Sequence, residues 1–219
     1  MNYIALQMLL GDKAKYLALI FAIAASTFLI ENQTSIFAGL MKRTASQVLD
    51  VTDAEVWVMD SKSEYFEQTR PLKDMELYRV RGVPGVDYAV RFFKSLPIAR
   101  APDGTFSQAV ALGVDDATLV GAPRKILLGS WRRLREPDSI VLDKAGYTLL
   151  FPGQPIAIGR TLELNDHKVT IVAISDASAP FATFPIIHTR YSVATQFQGQ
   201  ERSQLSYIIA RPRQGVDAR

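Results

Sequence analysis

The longest apolar stretch of the chain lies near its beginning and predicts how the rest is organised. From Tyr16 to Ile30 the sequence has no charged residue, no glycine and no proline. A surface helix shows polar residues on one side at every turn, whereas this stretch is apolar all the way round. The strict run of about 15 residues would span only roughly 22 Å as a helix, but a helix that continues to Met41 reaches about 26 residues and roughly 39 Å, enough to cross a hydrocarbon core of about 30 Å. We therefore predict a membrane-spanning helix over residues 16–41.

Two other interpretations fit the same stretch. Lys13 and Lys15 precede an apolar run of suitable length, which is the pattern of a secretory signal peptide, so a secreted soluble protein with a cleaved leader is one alternative. Against it, residues 1–15 have an apolar pattern of their own, and no small-x-small cleavage motif follows Ile30 directly. The second alternative is a buried core helix of a soluble protein, which is also apolar all round.

Glu31 and Asn32 interrupt the predicted span and are its candidate functional residues. A carboxylate that faces lipid is costly, so we expect Glu31 to face a partner helix or the membrane–water boundary. The first hypothesis is a polar contact between membrane helices, made by Glu31 and Asn32. The second places both residues at the boundary without a further role. Small side chains, which let membrane helices approach closely, precede them at Ala22, Ala24, Ala25, Ser26 and Thr27.

The segments that flank the span are predicted to be helical as well. Residues 1–15 place apolar side chains at helical spacing and contain a break at Gly11-Asp12, which is typical of an amphipathic leader on a membrane surface. Residues 42–52 continue the helical spacing without a breaker and predict a stalk that leads out of the membrane. Lysine or arginine lies on both sides of the span, so the positive-inside rule gives no orientation.

Residues 53–211 have the pattern of a mixed domain, and residues 212–219 are turn-like. The clearest local signal is a β-hairpin, because alternating residues over 161–164 and 168–174 flank Asn165-Asp166-His167. Asp103-Gly104 predicts a second hairpin. Hairpin strands with short helices between them indicate an α+β fold, in which a long N-terminal helix precedes a mixed extracytoplasmic domain. The other predicted elements are strands over 55–59, 88–99, 107–114, 139–142, 185–187 and 204–210, a loop over 61–70, and helices over 71–80, 143–150 and 190–197.

Composition adds few constraints. The 219 residues are 48% hydrophobic and carry a net charge of +3, which allows one folded domain with an apolar helix. No basic stripe alternates with aromatic residues, so nothing indicates a nucleic-acid partner. The densest basic cluster, Arg132, Arg133 and Arg135 beside Trp131, is interpreted as a solvated face. The absence of cysteine excludes disulfides and thiolate chemistry.

Catalytic signatures are missing from the sequence. It contains no P-loop, no GxSxG and no HExxH motif, and it has two histidines. His167 is expected to be exposed at the hairpin turn, and His188 to be a satisfied core residue. Asp116 is expected to cap a helix after the preceding strand. Because no nucleophile–base pair or metal cluster can be assembled, we expect no enzyme, no cofactor and no metal site.

Four segments in this order resemble a known family. They are EVWVMD, RVRGVPGVDYAV, GVDDATLVGAP and LELNDHKVTIVAI, and they follow the apolar helix and its stalk. The order is similar to that of permease subunits of bacterial ABC exporters of the MacB/FtsX-like class, in particular the DevC-type branch. The resemblance covers essentially the whole chain, and it consists of motif-level matches without a catalytic signature.

The resemblance implies a fold, a mechanism and partners. Members of the class have four membrane helices and a periplasmic core domain, often in two lobes, between the first and the second. A separate ABC ATPase subunit hydrolyses ATP in the cytoplasm, and a pair of permease copies passes the motion to the periplasmic domains. A membrane-fusion adaptor and an outer-membrane channel complete the path in tripartite members. The implied location is the bacterial inner membrane, with the main domain in the periplasm.

The chain departs from the class where it ends. The three later membrane helices do not follow Arg219, so the sequence is expected to be the N-terminal part of such a permease, with residues 212–219 as the start of its return to the membrane. Transport of a substrate would then require the remainder. One rival function is that of division-type FtsX-like members, whose extracytoplasmic domain recruits a cell-wall hydrolase.

Overall fold

The computed structural model describes residues 11–44, 46–64, 68–177, 184–198 and 204–216. The chain divides into two compact units, Met1–Ala45 and Ser46–Arg219. Most of the predicted amphipathic leader, residues 1–10, lies outside the described residues.

Among its described residues, the first unit contains one long helix, α1 (Lys13–Thr44). The predicted break at Gly11-Asp12 is where it begins, because Asp12 accepts hydrogen bonds from the backbone N–H of Lys15 through its side chain (3.3 Å) and of Tyr16 through its carbonyl (3.0 Å). The 32 residues of α1 correspond to about 48 Å. Among the described residues, one helix is long and apolar enough to cross a membrane, over Lys13–Met41, and a signal sequence would pass the same test.

The second unit consists of short helices and a large mixed β-sheet. The helices are α2 (Ser46–Leu49), α3 (Asp74–Arg81), α4 (Lys144–Leu150) and α5 (Tyr191–Ala194), with 3-10 helices over Trp131–Arg135 and Thr195–Gln198. The strands are β1 (Val56–Val58), β2 (Leu72–Lys73), β3 (Val86–Ser95), β4 (Ile98–Arg100), β5 (Phe106–Gln108), β6 (Val110–Val114), β7 (Ile126–Gly129), β8 (Ser139–Asp143), β9 (Thr161–Leu164), β10 (His167–Ser175), β11 (Ile186–Arg190), β12 (Gln204–Leu205) and β13 (Tyr207–Pro212). An N-terminal helix followed by a mixed domain of strands and short helices was the predicted fold class, and it is confirmed.

Strand order in the main sheet differs from a simple series of hairpins. Within the described part the order is β1-β13-β3-β6-β11-β8-β10-β9-β4-β5, and β7 pairs with β10. Two central pairs, β6 with β11 and β8 with β10, are parallel. These strands are buried on both faces, as parallel strands in a sheet usually are. Ile140 and Leu142 of β8 belong to one apolar cluster, and Val141 between them belongs to the cluster on the opposite face.

Both predicted hairpins are confirmed. Asn165 and Asp166 have φ values of 45° and 67°, which a two-residue type I′ turn requires. The Asn165 side chain also accepts a hydrogen bond from Ile98 N–H (2.9 Å) and donates one to the Phe197 carbonyl (2.7 Å), so the turn is tied to two other elements. His167 is the first residue of β10 rather than part of the turn.

Other predicted bounds are corrected by the pairing. The predicted strand over 88–99 is two strands, β3 and β4, because Pro97 interrupts the pairing and β4 joins β5 and β9 instead. The predicted helix over 71–80 begins at Asp74, since Leu72–Lys73 pairs with Gln204–Leu205. The predicted helix over 190–197 is a short α-helix followed by a 3-10 turn.

Asp143 joins β8, α4 and β11. Its buried carboxylate accepts hydrogen bonds from Gly146 N–H (3.1 Å), which caps α4, and from Ile186 N–H (2.7 Å). Burial raises the pKa of Asp143, although these N–H groups oppose the shift. The helix predicted from Asp143 therefore begins at Lys144, with Asp143 as its N-cap.

Candidate functional site

Glu31 and Asn32 lie in the second half of α1, and both are exposed. Residues at spacings of three and four share a side of a helix. Glu31 therefore shares one side with Ala24, Thr27, Ser35 and Ala38, which are small, and also with Phe28 and Thr34. Within the described part, neither the Glu31 nor the Asn32 side chain takes part in a hydrogen bond or an ion pair. The contact between membrane helices proposed for these two residues stays a hypothesis.

The first residues of the second unit, 46–54, are called the junction segment here. It begins with the four-residue helix α2, and Val51 N–H closes its last turn on the Val48 carbonyl (3.3 Å). Val51 and Ala54 are buried in the apolar cluster that also contains Phe92 and Ile209. The junction segment is thus packed into the core of the domain rather than tethered loosely to it.

Gln47 and Lys94 are both buried, with 5% and 7% of their surface exposed. Lys94 Nζ donates a hydrogen bond to Gln47 Oε1 at 3.0 Å, which links α2 to β3. A lysine is rarely buried without a polar partner, because the charged form loses its hydration.

Asp53 forms a second connection between the junction segment and the sheet. Its carbonyl accepts a short hydrogen bond from the Tyr88 hydroxyl, and its carboxylate accepts two from the Arg124 guanidinium. The guanidinium carbon of Arg124 lies 4.2 Å from the centroid of the Trp131 ring. Burial raises the pKa of Tyr88, so its hydroxyl stays protonated and able to donate.

A pocket of about 200 Å³ lies beside the junction segment. Lys125 and Asp176, which form an ion pair, lie on its wall. The residues that line it are Leu49, Asp50, Thr52, Pro123, Arg124, Lys125, Asp176, Ala177 and His188.

His188 is 4% exposed, as the sequence predicts, but it is not a satisfied core residue. Its Nδ1 atom has no hydrogen-bond partner in the described part of the chain. It lies on β11, between Leu112 of β6 and Val141 of β8. Burial lowers the pKa of His188 from 6.5 to about 4. His167 is exposed, as expected.

Replacing His188 by glutamine is expected to weaken the pH dependence of stability. Between pH 6.5 and 4 the unfolded chain binds a proton at this residue and the folded chain does not, so stability falls as the pH is lowered through this window. The loss amounts to about 3 kcal/mol. Urea denaturation of the full chain in detergent, followed by tryptophan fluorescence at several pH values, measures it. Equal pH dependence in both proteins would contradict the prediction.

The two aspartates after β6 differ in role from the expectation. Asp115 makes the local cap, because its carboxylate accepts hydrogen bonds from the N–H (2.9 Å) and the hydroxyl (2.7 Å) of Thr118. Asp116 instead accepts hydrogen bonds from Ser192 N–H (3.1 Å) and its hydroxyl (2.7 Å), at the start of α5. The expectation that Asp116 caps a helix that follows its own strand is therefore wrong.

The remaining candidates form no catalytic arrangement. Arg132, Arg133 and Arg135 are exposed, as expected of a solvated face, and Arg133 pairs with Glu136. Among the described residues, no group of three histidine, aspartate or glutamate side chains lies close enough together to hold a metal ion. What the structure does bring together is a set of polar contacts, Lys94–Gln47 and Arg124–Asp53, at the start of the domain. Sequence reasoning did not identify them.

Comparisons with known proteins give one matching family model and solved structures with a similar fold. The family model described as the MacB-like periplasmic core domain matches residues 17–219. The periplasmic region of MacB from Actinobacillus actinomycetemcomitans superposes with a TM-score of 0.56 at 13% identity, over 77% of this chain and 78% of that one. The extracellular domain of the noncanonic ABC-type transporter YknZ from Gram-positive bacteria gives 0.52 at 12% identity, over 72% and 81%. No curated protein matches the sequence significantly.

Proposed function

Because this chain belongs to the family with the MacB-like periplasmic core domain, we propose that it is the membrane-anchored permease component of a bacterial ABC-type exporter. The family match over residues 17–219 carries the proposal, since it includes both the apolar helix and the domain. The apolar helix α1, with no buried residue in its most apolar window, supports the anchor. The DevC-type branch of the family stays a prediction.

The proposed location is the inner membrane, with residues 53–211 in the periplasm. Residues 16–41 would cross the bilayer, and residues 42–52 would lead out of it as a stalk. The polar side chains of Glu31 and Asn32 are less costly against a partner helix than against lipid. The small residues on the same side of α1 allow close packing of two helices. A second copy of the chain is the partner we propose for this side.

The proposed mechanism divides the work between two proteins. ATP is bound and hydrolysed by an ABC ATPase, as the family of the chain implies, and this sequence itself contains no P-loop motif. Its motion reaches the periplasmic domain through α1 and the stalk. The buried junction segment supports this role, because Val51, Ala54 and Gln47 are packed against the sheet and would move with it. A membrane-fusion adaptor is the proposed partner of the domain on the periplasmic side.

Purification of the tagged full chain from native membranes, after chemical crosslinking, tests the proposal. The expected result is co-purification of a polypeptide with a P-loop and ATPase activity, together with a membrane-fusion adaptor. Recovery of the chain without any ATPase would overturn the proposal. An ATPase accompanied by a cell-wall hydrolase in place of the adaptor would support the division-type function instead.

A further inference from the structure

We propose that the buried contact between Lys94 and Gln47 is a latch that holds the helical turn α2 on the sheet. The structural part of this inference stands without the proposed function. Its consequence for the transmission of motion from α1 to the domain rests on the proposed function, since α2 needs to be held on the sheet only if α1 moves.

Lys94 lies on a part of the domain whose backbone is held by many hydrogen bonds. It lies on β3, which is paired on one side with β13 and on the other with β6. Its backbone N–H donates to Ser206 Oγ (2.9 Å), and the Ser206 hydroxyl donates to the Lys94 carbonyl (3.2 Å). The backbone that carries the ammonium group is therefore fixed on several sides, so its position is set by the sheet.

Gln47, in contrast, lies on α2, a helix too short to be stable by itself. A helix of four residues is not stable by itself, because too few of its hydrogen bonds are formed to offset the ordering of the backbone. Among the α2 residues whose side chains are described, Gln47 is buried, Val48 is half-buried and Leu49 is 68% exposed. Gln47 consequently supplies the main buried side-chain contact of this turn.

The contact is of a kind that is costly to break. Lys94 as a whole is only 7% exposed, so its ammonium group depends on the acceptors around it, of which Gln47 Oε1 at 3.0 Å is one. A hydrogen bond to a charged group contributes more than one between neutral groups. Val51 and Ala54 hold the other end of the junction segment through apolar packing. Without the latch, α2 would detach while residues 51–54 stay in the core.

The Lys94–Gln47 contact determines where a force that arrives from α1 acts on the domain. Only Ala45 separates α1 from α2 in the sequence. With the latch closed, a displacement that arrives at Ser46 acts on β3, an interior strand of the sheet. With the latch open, α2 absorbs part of the displacement before it reaches Val51.

The absence of native cysteine allows a direct test by spin labelling. A label at Leu49→Cys, whose side chain is largely exposed, reports the mobility of α2 in the full chain in lipid nanodiscs. If the latch exists, Lys94→Met and Gln47→Leu each raise the mobile fraction of the spectrum about tenfold or more. This is the effect expected from the loss of one hydrogen bond to a charged group. Lys168→Met, which changes an exposed lysine on β10, serves as the matched control and leaves the spectrum unchanged.

A double-mutant cycle distinguishes a latch from general damage. If the two side chains act through each other, the double variant is no more mobile than either single variant. Additive effects, an unchanged spectrum in Lys94→Met, or a fall in melting temperature without a change in label mobility would each overturn the latch. Because label mobility does not depend on transport, a failure of the proposed function in the purification experiment would leave this result interpretable.

Discussion

Replacing Gly129 by alanine is expected to destabilise the domain by about 4 kcal/mol or more. Gly129 ends β7 with a φ of +80°, a conformation that costs about 1–2 kcal/mol for a residue with a Cβ atom. A Cβ atom there would lie 2.3 Å from the Val172 carbonyl oxygen and 2.9 Å from the Ala173 Cα atom. Both are backbone atoms of β10, which also pairs with β8 and β9 and cannot retreat without disturbing the middle of the sheet.

Gly153 provides the matched control for this substitution. It has a similar φ of +70°, but no atom lies within 4 Å of the position that a Cβ would take. Gly153→Ala therefore measures the backbone strain alone and is expected to cost about 1 kcal/mol. Urea denaturation of the full chain in detergent, followed by the fluorescence of Trp57 and Trp131, gives both values. Equal losses of unfolding free energy in the two variants would show that β7 and β10 have room for a Cβ atom at residue 129.

The double substitution Ile23→Arg and Phe28→Arg is expected to abolish retention in the membrane. Both residues lie within the uncharged run of α1. An arginine near the middle of a membrane helix costs roughly 3 kcal/mol on insertion, so two together cost about 6 kcal/mol. The fraction that resists carbonate extraction should fall from nearly all of the protein to a trace.

A variant with the same added charge at the ends of the predicted span controls for the effect of charge itself. In Tyr16→Arg with Met41→Arg, the long side chains can reach the membrane–water boundary, where an arginine costs little. This variant should remain in the carbonate-resistant fraction. If Ile23→Arg with Phe28→Arg remained there as well, α1 would not be the anchor.

Local patterns in the sequence were sufficient for the elements that depend on neighbouring residues. The apolar run predicted α1, because an uninterrupted stretch without charge is informative by itself. Asn165-Asp166 predicted its turn, since few residue types adopt a positive φ. The helix predicted over 143–150 begins one residue later, at Lys144, with Asp143 as its N-cap.

The pairing of distant strands was not predictable in the same way. β6 and β11 are parallel neighbours separated by more than 70 residues of sequence, and their continuous apolar runs show burial without showing a partner. The predicted strand over 88–99 was too long for a similar reason. The pattern of apolar and polar residues did not reveal that β4 pairs with other strands than β3 does. Pro97 was the available signal, because proline interrupts a central strand.

The polar contacts of the candidate site were missed because each partner looks ordinary alone. Lys94 follows two phenylalanines in a strand pattern and could have been noticed as a charge in a buried run. Gln47 resembles any polar residue on a helix, and nothing in its neighbourhood indicates that it meets Lys94. Glu31 and Asn32 were identified from the sequence because a charge is conspicuous in an apolar run, and their role stays a hypothesis.

We propose that α1 crosses a membrane and that the second unit lies outside the cytoplasm. Labelling of single cysteines in intact spheroplasts with a maleimide that cannot cross membranes tests it most directly, since the chain has no cysteine of its own. A cysteine at Ser61, which is exposed in the domain, should react in intact spheroplasts, whereas one at Asn2 should react only after permeabilisation. Protection of Ser61→Cys until the membrane is opened, or recovery of the protein in the soluble fraction, would contradict the claim.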